Sequence, residues 1–411
     1  MRCIDTVIIG AGAAGLMCAA TAGQRGRQVL VVDHANKVGK KILMSGGGRC
    51  NFTNQVVEPK HYLSGNPHFC ISALRRYSQH DFIELVQRYQ LAYHEKTLGQ
   101  LFCDNRAKDL LNILLAECDL GGVEIQTRCA VSSIKRLDHQ QTRVSGDPET
   151  DKLYRFQLAT SQGIVQCESL VIATGGPSIP TLGASHYGYD VARQFGLKVT
   201  ELQASLVPFV LKGKLLALAQ SLAGVSMPVS LSCRQQVFNE AILFTHKGIS
   251  GPAILQISNY WYPGDGVQIN FLPELDLSEE IRRWQHKGVK AELKTQLSKF
   301  LPRRFVVAWL DLPELKSLET KPIAELSRKD IDLLVKMFQA WQIIPAGTEG
   351  YKTAEVTRGG VCTDQISSKT FEVKSEPGLY FIGEVLDVTG WLGGFNFQWA
   401  WSSGWCAGQY V

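Results

Sequence analysis

Residues 6–33 read TVIIGAGAAGLMCAATAGQRGRQVLVVD, and their order decides the fold of everything around them. An apolar strand runs into Gly10, Gly12 and Gly15. Small residues then follow at helical spacing, and a second apolar strand ends at Asp33, with Gly26 near the intervening turn. Each glycine has a separate physical job. Gly10 permits a tight turn, Gly12 lets backbone approach a pyrophosphate at the positive end of the helix that Ala13 and Ala14 open, and Gly15 permits close helix packing. Asp33 is placed to hold ribose hydroxyls. Glycines in this strand–helix–strand setting predict a bound dinucleotide; the competing reading is a glycine-rich structural turn.

The rest of the composition is that of an ordinary globular chain. Its 411 residues are 45% hydrophobic, enough for two or three domains. No run approaches the roughly 18 apolar residues of a membrane span, and the N-terminus enters a strand without a cleavable signal pattern, so a soluble, cytoplasmic protein with no membrane partner is expected. The eleven cysteines contain no C-x-x-C pair. Neither a disulfide framework nor a metal site is indicated, and His61, His68 and Cys70 lack a recognised ligand spacing. The formal charge of +5 is local: between Leu277 and Phe305 eight Lys/Arg face three Glu, so one segment holds the whole excess.

The texture of the chain predicts an α/β unit over residues 1–200 and a return to turn-rich sequence with an apolar strand over residues 344–411. The first part closes with hairpin strands leading into VIATGG, where Ala173, Thr174 and Gly175 end a buried strand. Residues 201–275 hold short strand-like runs, expected as an antiparallel β unit; residues 276–343 have helical spacing and hold the basic segment. Two places decide between FAD and a plain nicotinamide dehydrogenase. They are VIATGG and FIGEVLDVTGWLGG, with Gly383, Glu384 and Asp387, where such flavoproteins return to the cofactor. No second G-x-G-x-x-G is present, so NADH or NADPH is expected as a transient reductant at the flavin face.

The blocks GAGAAGLMCAA, GKKILMSGGGRCNFTN, LFTHKGISGPAILQIS, GTEGYKTAEVTRGGV and GEVLDVTGWLGGFNFQWAWSSG span nearly the whole chain. Together they resemble a bacterial family of NAD(P)/FAD-dependent flavoproteins that contains bile-acid enone reductases and ribosomal RNA dihydrouridine synthases. NPHFC, EKTLGQLFCD and TGWLGGFNFQWAWSS point to the second branch. The resemblance implies an α/β fold with a Rossmann-like, two-dinucleotide-binding-type FAD domain built from both chain ends, residues 1–200 and 344–411, interrupted by an insert with a β-barrel part and a helical-bundle part. It implies reduction of a uridine C5=C6 bond in 23S ribosomal RNA or a large-subunit precursor. Two other functions stay open: a small-molecule enone reductase or amine oxidase, and a non-enzymatic RNA-binding flavoprotein of ribosome assembly. The oligomeric state is open too.

Saturating a C5=C6 bond conjugated to a carbonyl needs hydride at one carbon and a proton at the other. Cys50 is one candidate acid, because an ordinary thiol is mostly protonated at neutral pH; it reads equally as a small packing residue beside the cofactor. His246 is the second candidate, and Cys103 a weaker third. Ser45, Gly46, Gly47 and Gly48 are expected as a loop whose N–H groups reach cofactor oxygens, with Lys40, Lys41 and Arg49 adding charge and Asn51 an amide. Val131, Gly393, Gly394, Asn396 and Phe397 complete the expected cofactor contacts. Trp399, Trp401 and Trp405 have the helical spacing of core residues, which leaves Trp391 as the one candidate stacking surface. A basic helix is usually a solvated face, but with the resemblance Arg282, Arg283, Lys287 and Lys290 are expected to meet RNA phosphates.

Overall fold

The computed structural model describes residues 1–137 and 153–411. They form two compact units, Met1–Gln203 with Val356–Val411, and Ala204–Glu355.

The first unit is organised by a sheet whose path runs Glu372–Val373, Glu376–Phe381, Gly163–Ile172, Arg2–Ile9, Val29–Val32, Glu124–Gln126. From Glu376–Phe381 to Glu124–Gln126 every pairing is parallel. Its central strands end in buried apolar runs, Val7–Ile9, Val29–Val32 and Leu170–Ile172, because both faces are covered there, as parallel sheets require. Ile9 lies opposite both Val32 and Ile172, and Ile172 opposite Phe381, so the strands end level with one another. From Arg2–Ile9 the chain first moves outward to Val29–Val32, then returns to the other side through Gly163–Ile172. That reversal is the topological switch point at which open α/β sheets bind ligands. The helix Ala13–Gln24 packs against Phe395–Gly408 and Ala107–Leu120. Small residues make the close packing possible: a Cβ at Gly404 would stand 2.5 Å from the Ala14 carbonyl oxygen, and one at Gly408 would stand 2.9 Å from that of Cys18. Trp399 and Trp401 are fully enclosed, their indole N–H groups donating to the carbonyls of Gly383 (3.0 Å) and Phe52 (2.8 Å).

The second unit has a seven-stranded sheet of antiparallel neighbours in the order Trp341–Ile343, Val267–Asn270, Ser226–Cys233, Gln236–Phe244, Gly248–Ser250, Phe209–Val210, Gly347–Thr348. The helices Leu277–His286, Arg303–Leu310 and Arg328–Gln339 belong to the same unit. Phe271 packs against Phe305, Trp309 and Trp341, with ring centroids 4.8–5.8 Å apart. Strand and helix stretches, separate in the sequence, therefore share one aromatic core. The strand Gly347–Thr348 pairs with Phe209–Val210, so this unit runs on to Glu355, past the return near residue 344 expected from composition. Among the described residues no helix is long and apolar enough to cross a membrane.

Candidate cofactor site

The glycine fingerprint and VIATGG meet at the switch point. Gly10 has φ of 115°, and a Cβ on it would stand 2.4 Å from the Ala173 carbonyl oxygen; the Ala173 N–H donates to Ile9 at 2.9 Å. A Cβ on Gly15 would stand 2.0 Å from the Gly10 carbonyl oxygen. Gly12 differs, because its Cβ position has nothing within 4 Å. It opens the helix Ala13–Gln24, which has no side-chain cap and no acidic residue in its first turn. A helix start left open in this way suits an anion.

Asp33 takes an additional part in holding the turn. One carboxylate oxygen accepts from the Ala11 N–H and the other from the Ala35 N–H, both at 2.8 Å. Carboxylate oxygens keep further lone pairs, so ribose recognition at Asp33 is compatible with this bracing. The Arg128 and Cys129 N–H groups donate to the carbonyls of Ala35 and Asp33, both at 2.8 Å, which brings the segment leading into Val131 to the ribose side.

SGGGRC forms a tight reversal. Gly46, Gly47, Gly48 and Cys50 all have positive φ, at 56°, 66°, 87° and 41°, and the Cys50 N–H closes the loop on the Ser45 carbonyl at 3.0 Å. Gly47 and Gly48 face open space, whereas a Cβ on Gly46 would stand 2.9 Å from the Phe102 ring. Arg49 is exposed, and its carbonyl accepts from the Cys103 N–H at 2.9 Å. The adjoining strand Asn51–Asn54 is bound to the tail motif. Asn54 donates to the Gly393 carbonyl at 3.0 Å. With its amide nitrogen facing the Thr53 and Leu101 carbonyls, Asn51 accepts from the Gly394 N–H at 3.2 Å. Asn396 clamps the preceding turn through Gly390 and Trp391, and the partly exposed Phe397 stacks on Trp401 at 5.6 Å.

A charged knot links three segments. Lys41 donates to Glu384 at 2.8 Å and to Ser178 at 2.7 Å, and Glu384 also accepts from the Thr357 N–H at 2.9 Å. Lys41 is thus paired with a carboxylate, whereas Lys40, beside it, makes no such pair among the described residues. Asp387 is 8% exposed and accepts from the Gly65 N–H at 3.0 Å; burial raises its carboxyl. The Gly383 Cβ position lies 2.8 Å from the Ala14 side chain, which brings the GEV turn against the fingerprint helix. The Thr174 hydroxyl oxygen is buried without a partner among the described residues. The open Gly12 position, the uncapped helix start and the open Gly47–Gly48 loop together fit a dinucleotide whose pyrophosphate meets backbone N–H groups.

The candidate acids are placed very differently. Cys50 is 0% exposed, and burial drives its thiol far above the ordinary range. It is a held proton with no open face. Cys103 is enclosed too, pushed up to about 12 by burial. His246 is exposed in the turn between Gln236–Phe244 and Gly248–Ser250, in the second unit. Sequence reasoning missed Glu355, although it quoted the TAEVTR block around it. Burial around its carboxyl pushes it up to about 7, although the residue as a whole is exposed. Only side-chain environment reveals it. Trp391 lies against His61, 5.0 Å between rings, rather than standing free as a stacking surface. The His61 ring also lies tilted against Phe395, 4.5 Å between centroids, and burial lowers its imidazole.

On the helix Leu277–His286, Leu277, Ile281 and Trp284 are buried while Arg282, Arg283 and His286 are exposed. With Glu279 and Lys287 they line a shallow open depression; Lys290 is exposed further along.

This fold and site define a Rossmann-type oxidoreductase. Residues 4–410 match the family described as HI0933-like protein Rossmann domain, and the chain belongs to it. It is 50% identical to a ribosomal RNA dihydrouridine synthase of Escherichia coli strain K12 over 410 residues, covering 100% of this chain and 98% of that one. It is 49% identical to the Haemophilus influenzae protein of the same name, covering 97% and 96%. A 3-dehydro-bile acid delta(4,6)-reductase of Clostridium scindens is 28% identical, covering 98% and 97%.

Proposed function

We propose that this chain is an FAD-dependent ribosomal RNA dihydrouridine synthase that reduces a uridine C5=C6 bond in 23S ribosomal RNA or its large-subunit precursor, with NADH or NADPH restoring the reduced cofactor. The observation that carries the reading is 49–50% identity, end to end, to two proteins named for that activity, against 28% to a bile-acid reductase. Bound FAD would supply the hydride. The chain's own residues do the rest. Backbone N–H groups at Gly12–Ala14 hold the pyrophosphate, and Asp33 the ribose. Asp387 and the Gly46–Gly48 and Gly393–Gly394 loops hold the remainder. Arg282, Arg283, Lys287 and Lys290 position RNA through its phosphates. The target base has to leave its stack to be reduced. Cys50, His246 and Glu355 are the candidate donors of the C5 proton, of which His246 and Glu355 have solvent access.

The test is deletion of the gene followed by mapping of reduced uridines in ribosomal RNA, through alkaline ring opening and reverse-transcription stops. Loss of one stop, restored by the wild-type gene, is expected. Unchanged ribosomal RNA would sink the reading.

A further inference from the structure

The positive excess of the second unit is concentrated away from the helix Leu277–His286. Within residues 277–292 four Lys/Arg face three Glu, and Glu280 pairs with Arg283 at 2.8 Å. Residues 293–310 carry Lys294, Lys299, Arg303 and Arg304 with no acidic residue at all. Two of these cations are engaged. Arg304 donates to the carbonyls of Ala223 and Ser221 at 3.1 and 2.6 Å, and Lys294 lies 3.5 Å from Glu292. Lys299 and Arg303 are exposed; Lys299 reaches the neutral amide of Gln296 at 2.7 Å, and neither pairs with a carboxylate among the described residues.

Between them in the chain stands Phe300, 46% exposed, and one helical turn beyond Arg303 stands Val307, 42% exposed. Single exposed apolar residues are ordinary, but an aromatic ring flanked by free cations in an acid-free stretch is a different setting. The support beneath it is rigid, since Phe305, Val306, Trp309 and Leu310 of the helix Arg303–Leu310 are all buried. That helix also begins with Arg303 and Arg304 and has no acidic residue in its first turn, so like charge sits at its positive end. A phosphate there would relieve the repulsion.

We propose that Phe300, Lys299 and Arg303 form a platform for an unpaired nucleotide of RNA. The base stacks on the Phe300 ring while neighbouring phosphates meet Lys299 and Arg303. The proposal rests on the ribosomal RNA reading above and adds a second contact, one selective for single strands. A base inside a duplex already has both faces covered, so the platform distinguishes a splayed segment from a helix. Self-association through this surface is disfavoured, because a twofold contact would set Lys299 and Arg303 against their own copies.

Fluorescence anisotropy with labelled oligouridine, an RNA duplex of equal length and transcribed 23S ribosomal RNA tests it. Phe300→Ala is expected to weaken oligouridine binding by about five- to a hundredfold while duplex binding holds, and Phe300→Trp to restore it. Arg303→Ala should lower the salt slope by about one. Wild-type binding of 23S RNA and oligouridine with an unaffected Phe300→Ala variant would overturn the platform alone. Absence of any wild-type affinity for ribosomal RNA would remove the RNA reading and the platform together. A concentration-dependent dimer abolished by Phe300→Ala in sedimentation would assign the surface to self-contact and overturn the proposal.

Discussion

Two glycine loops of the first unit use the same residue for opposite reasons. In the fingerprint, Gly10 and Gly15 are required because backbone lies 2.4 and 2.0 Å from where their Cβ atoms would be. In SGGGRC, Gly47 and Gly48 have empty space around them and are required by left-handed φ of 66° and 87°. The first loop is a packing joint. The second is a conformational one, and Cys50, with φ of 41°, bears the same strain without being glycine. A sequence shows only the shared letter, so the two should part under mutation.

The largest effect is expected at Gly15. Gly15→Ala forces backbone apart, so we expect a stability loss of about 3 kcal/mol or more and protein purified without flavin absorbance. Full flavin occupancy in that variant would break the packing account. Next comes the Lys41–Glu384 knot, whose carboxylate is the more buried partner. Lys41→Met should cost about 2 kcal/mol in urea unfolding, and adding Glu384→Gln should cost less than the sum of the two single changes. Additive losses would show that the pair contributes nothing as a pair. Cys50→Ser places a hydroxyl in an enclosed site and should cost about 1–2 kcal/mol, with flavin binding and uridine reduction preserved. If reduction instead fell about a hundredfold or more with the flavin still reducible by NAD(P)H, the thiol would be the proton donor despite its burial. Gly47→Ala should cost about 1 kcal/mol in stability, since only φ opposes it within the protein. A loss as large as that of Gly15→Ala would erase the contrast between the loops.

The smallest expected effect is in pH dependence, because Glu355 as a residue is exposed and solvent screens its carboxyl. Glu355 in the folded chain titrates at about 7, above its ordinary carboxyl value. The folded state therefore holds the proton more tightly, and the stabilisation this provides is fully present below about pH 4.3, then lost as pH rises through 7. Glu355→Gln should flatten the thermal-unfolding profile across that window and leave it more stable above neutrality. Unchanged pH dependence would show that the carboxyl is not desolvated. Should the same variant lose the alkaline limb of the uridine-reduction profile, the fall in rate as pH rises through about 7, Glu355 would be the acid.

Much of the site was legible because its spacing is local. GAGAAG, VIATGG and GEVLD each announce a strand that ends in glycine, and level strand ends then bring them together. Lys41 shows where legibility stopped. Beside Lys40 it reads as another cation for phosphate, but it pairs with Glu384, 343 residues along the chain. Cys50 shows it too. In the sequence the thiol reads equally as a proton donor or as packing, while the structure encloses it completely.

By itself, then, the sequence determined the strand–helix–strand unit, the glycine turn that opens its helix and the location of the basic segment. Periodicity, glycine spacing and local charge act over a few residues and need no knowledge of the rest of the chain. The tertiary structure alone decided which carboxyls and thiols lose water, which cations are already paired, and which glycines face backbone rather than space. Desolvation and ion pairing are properties of neighbours, and the neighbours that matter at Cys50, Lys41 and Phe300 are set by folding rather than by adjacency in the chain.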